Sequence, residues 1–273
     1  MIQNGSCSIR ETRPDMVEEN RPRQTSGVQV SVLWHAAGMA EVPADDGWLS
    51  EWEAERVARM AYEKRRTEFR LGRWTAKQAL ADLGRIPLDG RSLARLEVRA
   101  DPDGAPNPHL DGKPLPVSMS MTDRADWAAC VVSTSAIHLG CDLEIVEPRS
   151  DLFVADYFTT DEQEAIRNAG AERDRMANLL WSAKESALKV LRTGLRRDTR
   201  SVEVKVAPGD GSTWSQLMIR DSSDGLDFSG WWHRFGDFLL TVAASAAVQP
   251  PEPLRGTERL RTATPSHGWW RNG

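Results

Sequence analysis

Two stretches of this chain hold the residue types best suited to chemistry, Gly140-Cys141-Asp142-Leu143-Glu144 and Trp181-Ser182-Ala183-Lys184-Glu185-Ser186-Ala187-Leu188-Lys189. The first follows an apolar, β-prone run from Ala136 to Leu139. Side chains two apart on a strand share a face, so Asp142 and Glu144 are expected to project together. The second has helical spacing, which puts Glu185 and Lys189 on one face with Lys184 beside them. Three carboxylates with coordination positions to spare suit magnesium, which keeps water or phosphate oxygens in its shell, and the lysines suit the phosphates themselves. Taken singly, an Asp-x-Glu at a strand end is ordinarily a solvated face, and a helical Lys-Glu pair is ordinarily a surface ion pair.

Those groups have to be held by elements, and the chain offers them in an order that occurs twice. Residues 1–27 are polar without an apolar period and are expected to be a disordered leader. Val28 to Trp34 alternates and is β-branched, a strand signal. After Asp45-Asp46, Trp48, Leu49, Trp52, Val57 and Met60 recur at near-helical spacing, followed by Phe69, Leu71, Trp74, Ala76 and Leu80. Gly84 and Pro87 end that region. The second helical period carries Lys64, Arg65, Arg66, Arg70, Arg73 and Lys77, a charge run of the kind that usually faces solvent. Leu96 to Arg99 and Trp127 to Val132 read as strands, with turn chemistry at Asp101-Pro102-Asp103-Gly104 between them. Beyond the Asp142/Glu144 strand, a cap from Thr160 to Gln163 opens a short helix ending near Gly170. Ala171 to Leu191 is a longer helix that buries Leu179, Leu180, Ala183, Ala187 and Leu188. Ser201–Val206, Trp214–Arg220, Gly230–Phe235 and Phe238–Ala246 are strand candidates, and Pro250 onward reads as a tail. The division is therefore 28–135, 136–248 and a tail at 249–273, with no repeat of residues found between the halves.

Composition agrees with a folded enzyme. With 273 residues, 40% of them hydrophobic, the chain can bury a sizeable core. A net charge of -5 argues against general nucleic-acid binding. No run of about 18 apolar residues and no signal segment is present, so a cytoplasmic protein without a membrane partner is expected. Cys7, Cys130 and Cys141 lack metal-ligand spacing, and no disulfide is expected. The eleven tryptophans are assigned to packing.

Together, the two charged stretches resemble the paired signatures of the 4'-phosphopantetheinyl transferases, with the spacing of the larger surfactin-type class. The resemblance spans Val28 to Ala246 and leaves both ends of the chain outside. It implies an α+β fold of two similar α/β halves related by pseudo-twofold symmetry, acting as a monomer with coenzyme A and Mg2+ in the cleft between them. It also implies transfer of 4'-phosphopantetheine from coenzyme A to a serine of an acyl, aryl or peptidyl carrier protein. On this likeness Asp142, Glu144 and Glu185 hold the metal, Glu185 and Lys189 are catalytic, and Asp142, Lys184 and Lys189 attend the phosphates. Arg66 and Arg73 correspond to an arginine-rich helix that faces the coenzyme phosphates, where guanidinium geometry is apt. Gly104 and Pro106 resemble a Gly-x-Pro element along the nucleotide, with Gly112-Lys113-Pro114 a competing match. Ser120, Met121 and Thr122 fall in a coenzyme-binding strand, where Met121 replaces the usual histidine and offers neither charge nor a hydrogen bond. Arg192, Arg196 and Arg197 extend a basic surface that either meets a carrier protein or serves solubility. The other readings are a weakly active or non-catalytic relative that binds carrier proteins, and a metal-dependent phosphohydrolase.

Overall fold

Strands with an apolar face need a helix or a second sheet to cover it, and this chain meets that need twice. The computed structural model describes Met1 and residues 30–266; the expected leader and Cys7 lie outside them, apart from Met1. The first half runs β1 (Leu33–Gly38), α1 (Glu51–Ala58), α2 (Glu63–Gly84), α3 (Gly90–Ala94), β2 (Leu96–Ala100), β3 (Pro106–Leu110), β4 (Lys113–Pro114), β5 (Ser118–Arg124) and β6 (Trp127–Ser133). The second runs β7 (Leu139–Ile145), α4 (Asp151–Tyr157), α5 (Thr160–Asn168), α6 (Arg173–Val190), β8 (Val202–Val206), β9 (Ser215–Asp221), β10 (Leu226–Phe235) and β11 (Phe238–Ala244), and β12 (Glu252–Pro253) follows. Among the described residues no helix is long and apolar enough to cross a membrane.

The sheets have the orders β12-β1-β6-β5 and β7-β11-β10-β9-β8, with β2-β3-β4 a smaller third. Helix α2 lies on β6 and β1, and α6 lies on β7 and β11. Each helix covers its own core, Leu80, Leu96 and Val132 under α2 and Leu188, Ile219 and Trp232 under α6. Alternation sends the neighbouring side chains the other way, so Val131, Leu143, Phe238 and Leu240 share a third core that joins the two sheets.

A residue repeat does relate the halves, contrary to the sequence reading. Trp74-Thr75-Ala76-Lys77 on α2 matches Trp181-Ser182-Ala183-Lys184 on α6. Lys77 is fully buried and bonded to Glu53 at 2.5 Å and to the Trp48 carbonyl at 2.9 Å. Lys184 is fully buried and bonded to Glu162 at 2.8 Å and to the Thr199 carbonyl at 2.9 Å. Glu53 completes a capping box with Ser50 and accepts the Val98 amide; Glu162 does the same with Thr159 and the Val204 amide. A buried ammonium needs such a partner, because an unpaired charge in the interior is strongly unfavourable. The second cap thus begins at Thr159, one residue before the position read from sequence.

Three further differences bear on the site. The first strand begins at Leu33, while Val30 makes an isolated bridge to Val248 and Val28 is outside the described residues. Helix α4 was not foreseen; Ser150 caps it, accepting the Phe153 amide. The segment after Pro250 is more than a tail. Glu252 and Pro253 pair in parallel with Leu33 and Trp34, Leu260 is fully buried, and Arg255 and Arg259 form ion pairs with Asp82 and Glu41.

Candidate active site

Strand β7 carries Asp142 and Glu144, and α6 carries Glu185 and Lys189; Gly140 allows the two elements to meet. A Cβ on Gly140 would stand 1.8 Å from the Ser186 carbonyl oxygen, so any other residue there would push the helix away. Ser182 and Ser186 fasten the contact through the Thr241 hydroxyl, at 2.8 and 2.7 Å. On the other side, β5 holds β7 with side-chain oxygens: Ser120 Oγ accepts the Cys141 amide, and Thr122 Oγ1 accepts the Leu143 amide.

Asp142 is the hub. Its Oδ1 accepts from Lys189 Nζ at 3.1 Å and from Thr122 Oγ1 at 3.2 Å, whereas its Oδ2 is buried with no hydrogen-bond partner. Lys189 also donates to the Cys141 carbonyl at 2.7 Å. Burial opposes charge on Lys189, yet Asp142, Cys141 and Glu185 together hold its pKa above the usual lysine value. Glu185 is half-buried on the same side, and burial followed by repulsion from Asp142 raises its pKa, with Lys189 opposing. Burial and Asp142 push Glu144 up to about 7, against the pull of Arg124 and Arg149.

An electrostatic deficit of this kind is what a divalent cation removes. A buried acceptor without a partner on Asp142, and two neighbouring carboxylates resisting ionisation, fit a hard cation chemically. The carboxylates are nonetheless not gathered: among the described residues no three acidic, histidine or cysteine groups converge at metal-ligating distance. The cause is local. Glu144 Oε2 lies 3.2 Å from Arg124 Nε and 3.4 Å from Arg149 Nη2, and both arginines also pair with Glu147. These arginines and Glu147 escaped the sequence reading, because Arg124 comes from the other half and nothing in spacing couples it to Glu144.

Lys189 joins this cluster to a cavity of about 560 Å3 whose wall comes from both halves, including Arg73, Arg99, Gly104, Met121 and Arg192. The competing turns are thereby separated. Gly104 and Pro106 line the cavity, Gly104 with a φ of 91°, whereas Gly112, Lys113 and Pro114 sit exposed on the β3–β4 hairpin, outside the residues that line it. Arg73 lines it too, stacked over Phe69 and 3.6 Å from Glu53. Burial lowers its pKa to about 10, which leaves it charged at neutral pH. Met121 lines the cavity as well, with its terminal methyl over Gly72.

Four expected coenzyme ligands have other work, the first being Ser120, whose Oγ holds the Cys141 amide. Lys184 is sealed under α6 with Glu162, so its ammonium does not reach phosphate. Arg66 binds Glu63 and the Met60 carbonyl and is outside the residues that line the cavity. Thr122 spends its hydroxyl on Asp142 and β7, as a positioning residue. The basic surface also shrinks, since Arg197 is neutralised by Asp221 and Asp224.

Residues 138–243 match the 4'-phosphopantetheinyl transferase superfamily. The matched segment, less than half of the chain, holds β7, α6 and all but the last residue of β11, the two strands on which α6 lies. It supports phosphopantetheinyl transfer as the general class of chemistry. No curated protein matches the chain.

Proposed function

We propose that this chain is a magnesium-dependent 4'-phosphopantetheinyl transferase of the surfactin type, with two pseudo-symmetric halves and the donor held between them. It moves 4'-phosphopantetheine from coenzyme A to a serine of an acyl, aryl or peptidyl carrier protein, the holo-[acyl-carrier-protein] synthase reaction, and releases adenosine 3',5'-bisphosphate. The supporting observation is that Lys189, bonded to Asp142 and on one helical face with Glu185, lines a cavity walled by both halves, the three residues lying within the segment that matches the superfamily. Asp142, through its unpartnered Oδ2, and Glu185 would hold the magnesium, joined by Glu144 on its release from Arg124 and Arg149, and the ion would supply positive charge to the pyrophosphate. Lys189, fixed by Asp142 and the Cys141 carbonyl, presents its ammonium to the leaving phosphate. Glu185 takes the serine proton as the serine oxygen bonds to the pantetheine-bearing phosphorus and the bridging bond to adenosine bisphosphate breaks. A carboxylate beside a cation is a weak base, so positioning and electrostatics supply most of the acceleration. Arg73 and the backbone at Gly104 receive the nucleotide.

The test is intact-mass analysis of apo carrier proteins incubated with the enzyme, coenzyme A and magnesium. The expected product is the carrier bearing one phosphopantetheine, lost in Glu185→Gln and Lys189→Met. Consumption of coenzyme A without a modified carrier would instead favour a phosphohydrolase.

A further inference from the structure

Arg192 follows α6 and leaves the helix in the left-handed region, with a φ of 59°. That conformation is disfavoured for any residue with a Cβ, and glycine is the ordinary occupant at a helix end. The turn is otherwise regular, the Arg192 amide bonding the Lys189 carbonyl and the Thr193 amide the Leu188 carbonyl. The position nonetheless carries a guanidinium, as Arg85 does at the end of α2.

Its guanidinium lines the cavity and crosses from the second half to the β2–β3 turn of the first, 3.5 Å from Asp101 and 3.2 Å from Asp103. The other described cations of the wall are more firmly held. Arg73 pairs with the fully buried Glu53, Lys189 with Asp142 and a carbonyl, and Arg99, itself as exposed as Arg192, with Glu97 at 2.6 Å. Arg192 and its two partners are each about a third exposed, where ion pairs are weak and readily exchanged. A phosphate dianion accepts two parallel bonds from a guanidinium and competes well against such partners. Lys189 is held at Asp142 and the Cys141 carbonyl on β7, whereas the Arg192 guanidinium reaches the β2–β3 turn of the other half.

We propose that Arg192 is a clasp that exchanges Asp101 and Asp103 for the terminal phosphomonoester of a nucleotide donor, setting the preference for donors that carry that group. This rests on the coenzyme A reading above. The repeat supplies an internal control, because Arg85 ends α2 in the same conformation, φ 53°, and is outside the residues that line the cavity.

Calorimetric titration of the full chain with coenzyme A and with dephospho-coenzyme A, in magnesium, tests the proposal. Arg192→Gly should lose about tenfold in affinity for coenzyme A, little for the dephospho form, and melt no lower than wild type without ligand. Arg85→Gly should leave both affinities unchanged. Asp103→Asn keeps the side-chain oxygen that accepts the Ala105 amide but removes the competing charge, and should tighten coenzyme A a fewfold. Equal loss of both ligands in Arg192→Gly, or unchanged coenzyme A binding in Arg192→Gly or in Asp103→Asn, overturns the clasp alone. A wild type that binds neither compound overturns the donor reading beneath it.

Discussion

Glu144 shows how far one buried carboxylate can be read from its surroundings. Its pKa, raised from 4.5 to about 7 by burial and by Asp142, means that the folded protein holds this proton more tightly than the unfolded chain. Glu144 therefore subtracts stability as pH rises from about 4.5 through about 7, and the full penalty applies above that range. Metal-free Glu144→Gln should melt higher than wild type at pH 8, with the difference vanishing near pH 5. Thermal melts at the two pH values check this; the same gap throughout would mean that Arg124 and Arg149 balance burial, and a lower melting point of the variant at pH 8 alone that they outweigh it. Lys184 gives a second case. Lys184→Met should cost about 3 to 5 kcal/mol by leaving Glu162 buried without its ammonium. Adding Glu162→Gln should recover part of the loss in denaturant titrations, whereas a lysine serving phosphate alone would leave stability unmoved.

At the scale of elements, the seating of α6 on β7 decides whether the site exists. Gly140→Ala would set a methyl group 1.8 Å from the Ser186 carbonyl, and neither is the end of a flexible side chain. Relief requires the helix to move off the strand, taking Glu185 and Lys189 from Asp142. Carrier modification should be lost and stability should fall by about 3 kcal/mol or more, by analogy with overpacked cores. A variant with native melting behaviour and full activity would show that the helix is less tightly seated. The strand position and the helical face of these groups were both legible from alternation and from the four-residue spacing. The fate of Lys184 was not, because a helical lysine beside a glutamate reads the same whether it meets solvent or a buried partner brought in by α5. Arg124 was equally hidden, since its contact with Glu144 exists only once β5 lies against β7.

Across the whole molecule, the order of the long helices and main strands could be read, but the short helices α3 and α4, the tie between the halves and the C-terminal segment could not. The repeated Trp-Thr/Ser-Ala-Lys run is too short to be noticed before both lysines are seen buried on capping glutamates. On α2, Gln78 and Asp82 stand where α6 has Glu185 and Lys189, so that pair occurs in one copy alone. Polar residues mask the last segment, whose hold on the fold comes from a few points: the parallel pairing of β12 with β1, the fully buried Leu260, and ion pairs to Asp82 and Glu41. Leu260 and Val248 enter the core shared by the two sheets, and Arg261 lies over the Phe235 ring of β10. Removing residues 249–273 would bare the edge of β1 and open that core. The loss of Leu260 alone is worth about 2 kcal/mol, and in a chain of this size each kcal/mol shifts the melting temperature by about 2 to 4 °C. Truncation should thus lower the melting temperature by at least about 5 °C and promote association through the uncovered strand. Melting curves and light scattering of the truncated chain check both effects, and an unchanged monomer would return this segment to the status of a tail.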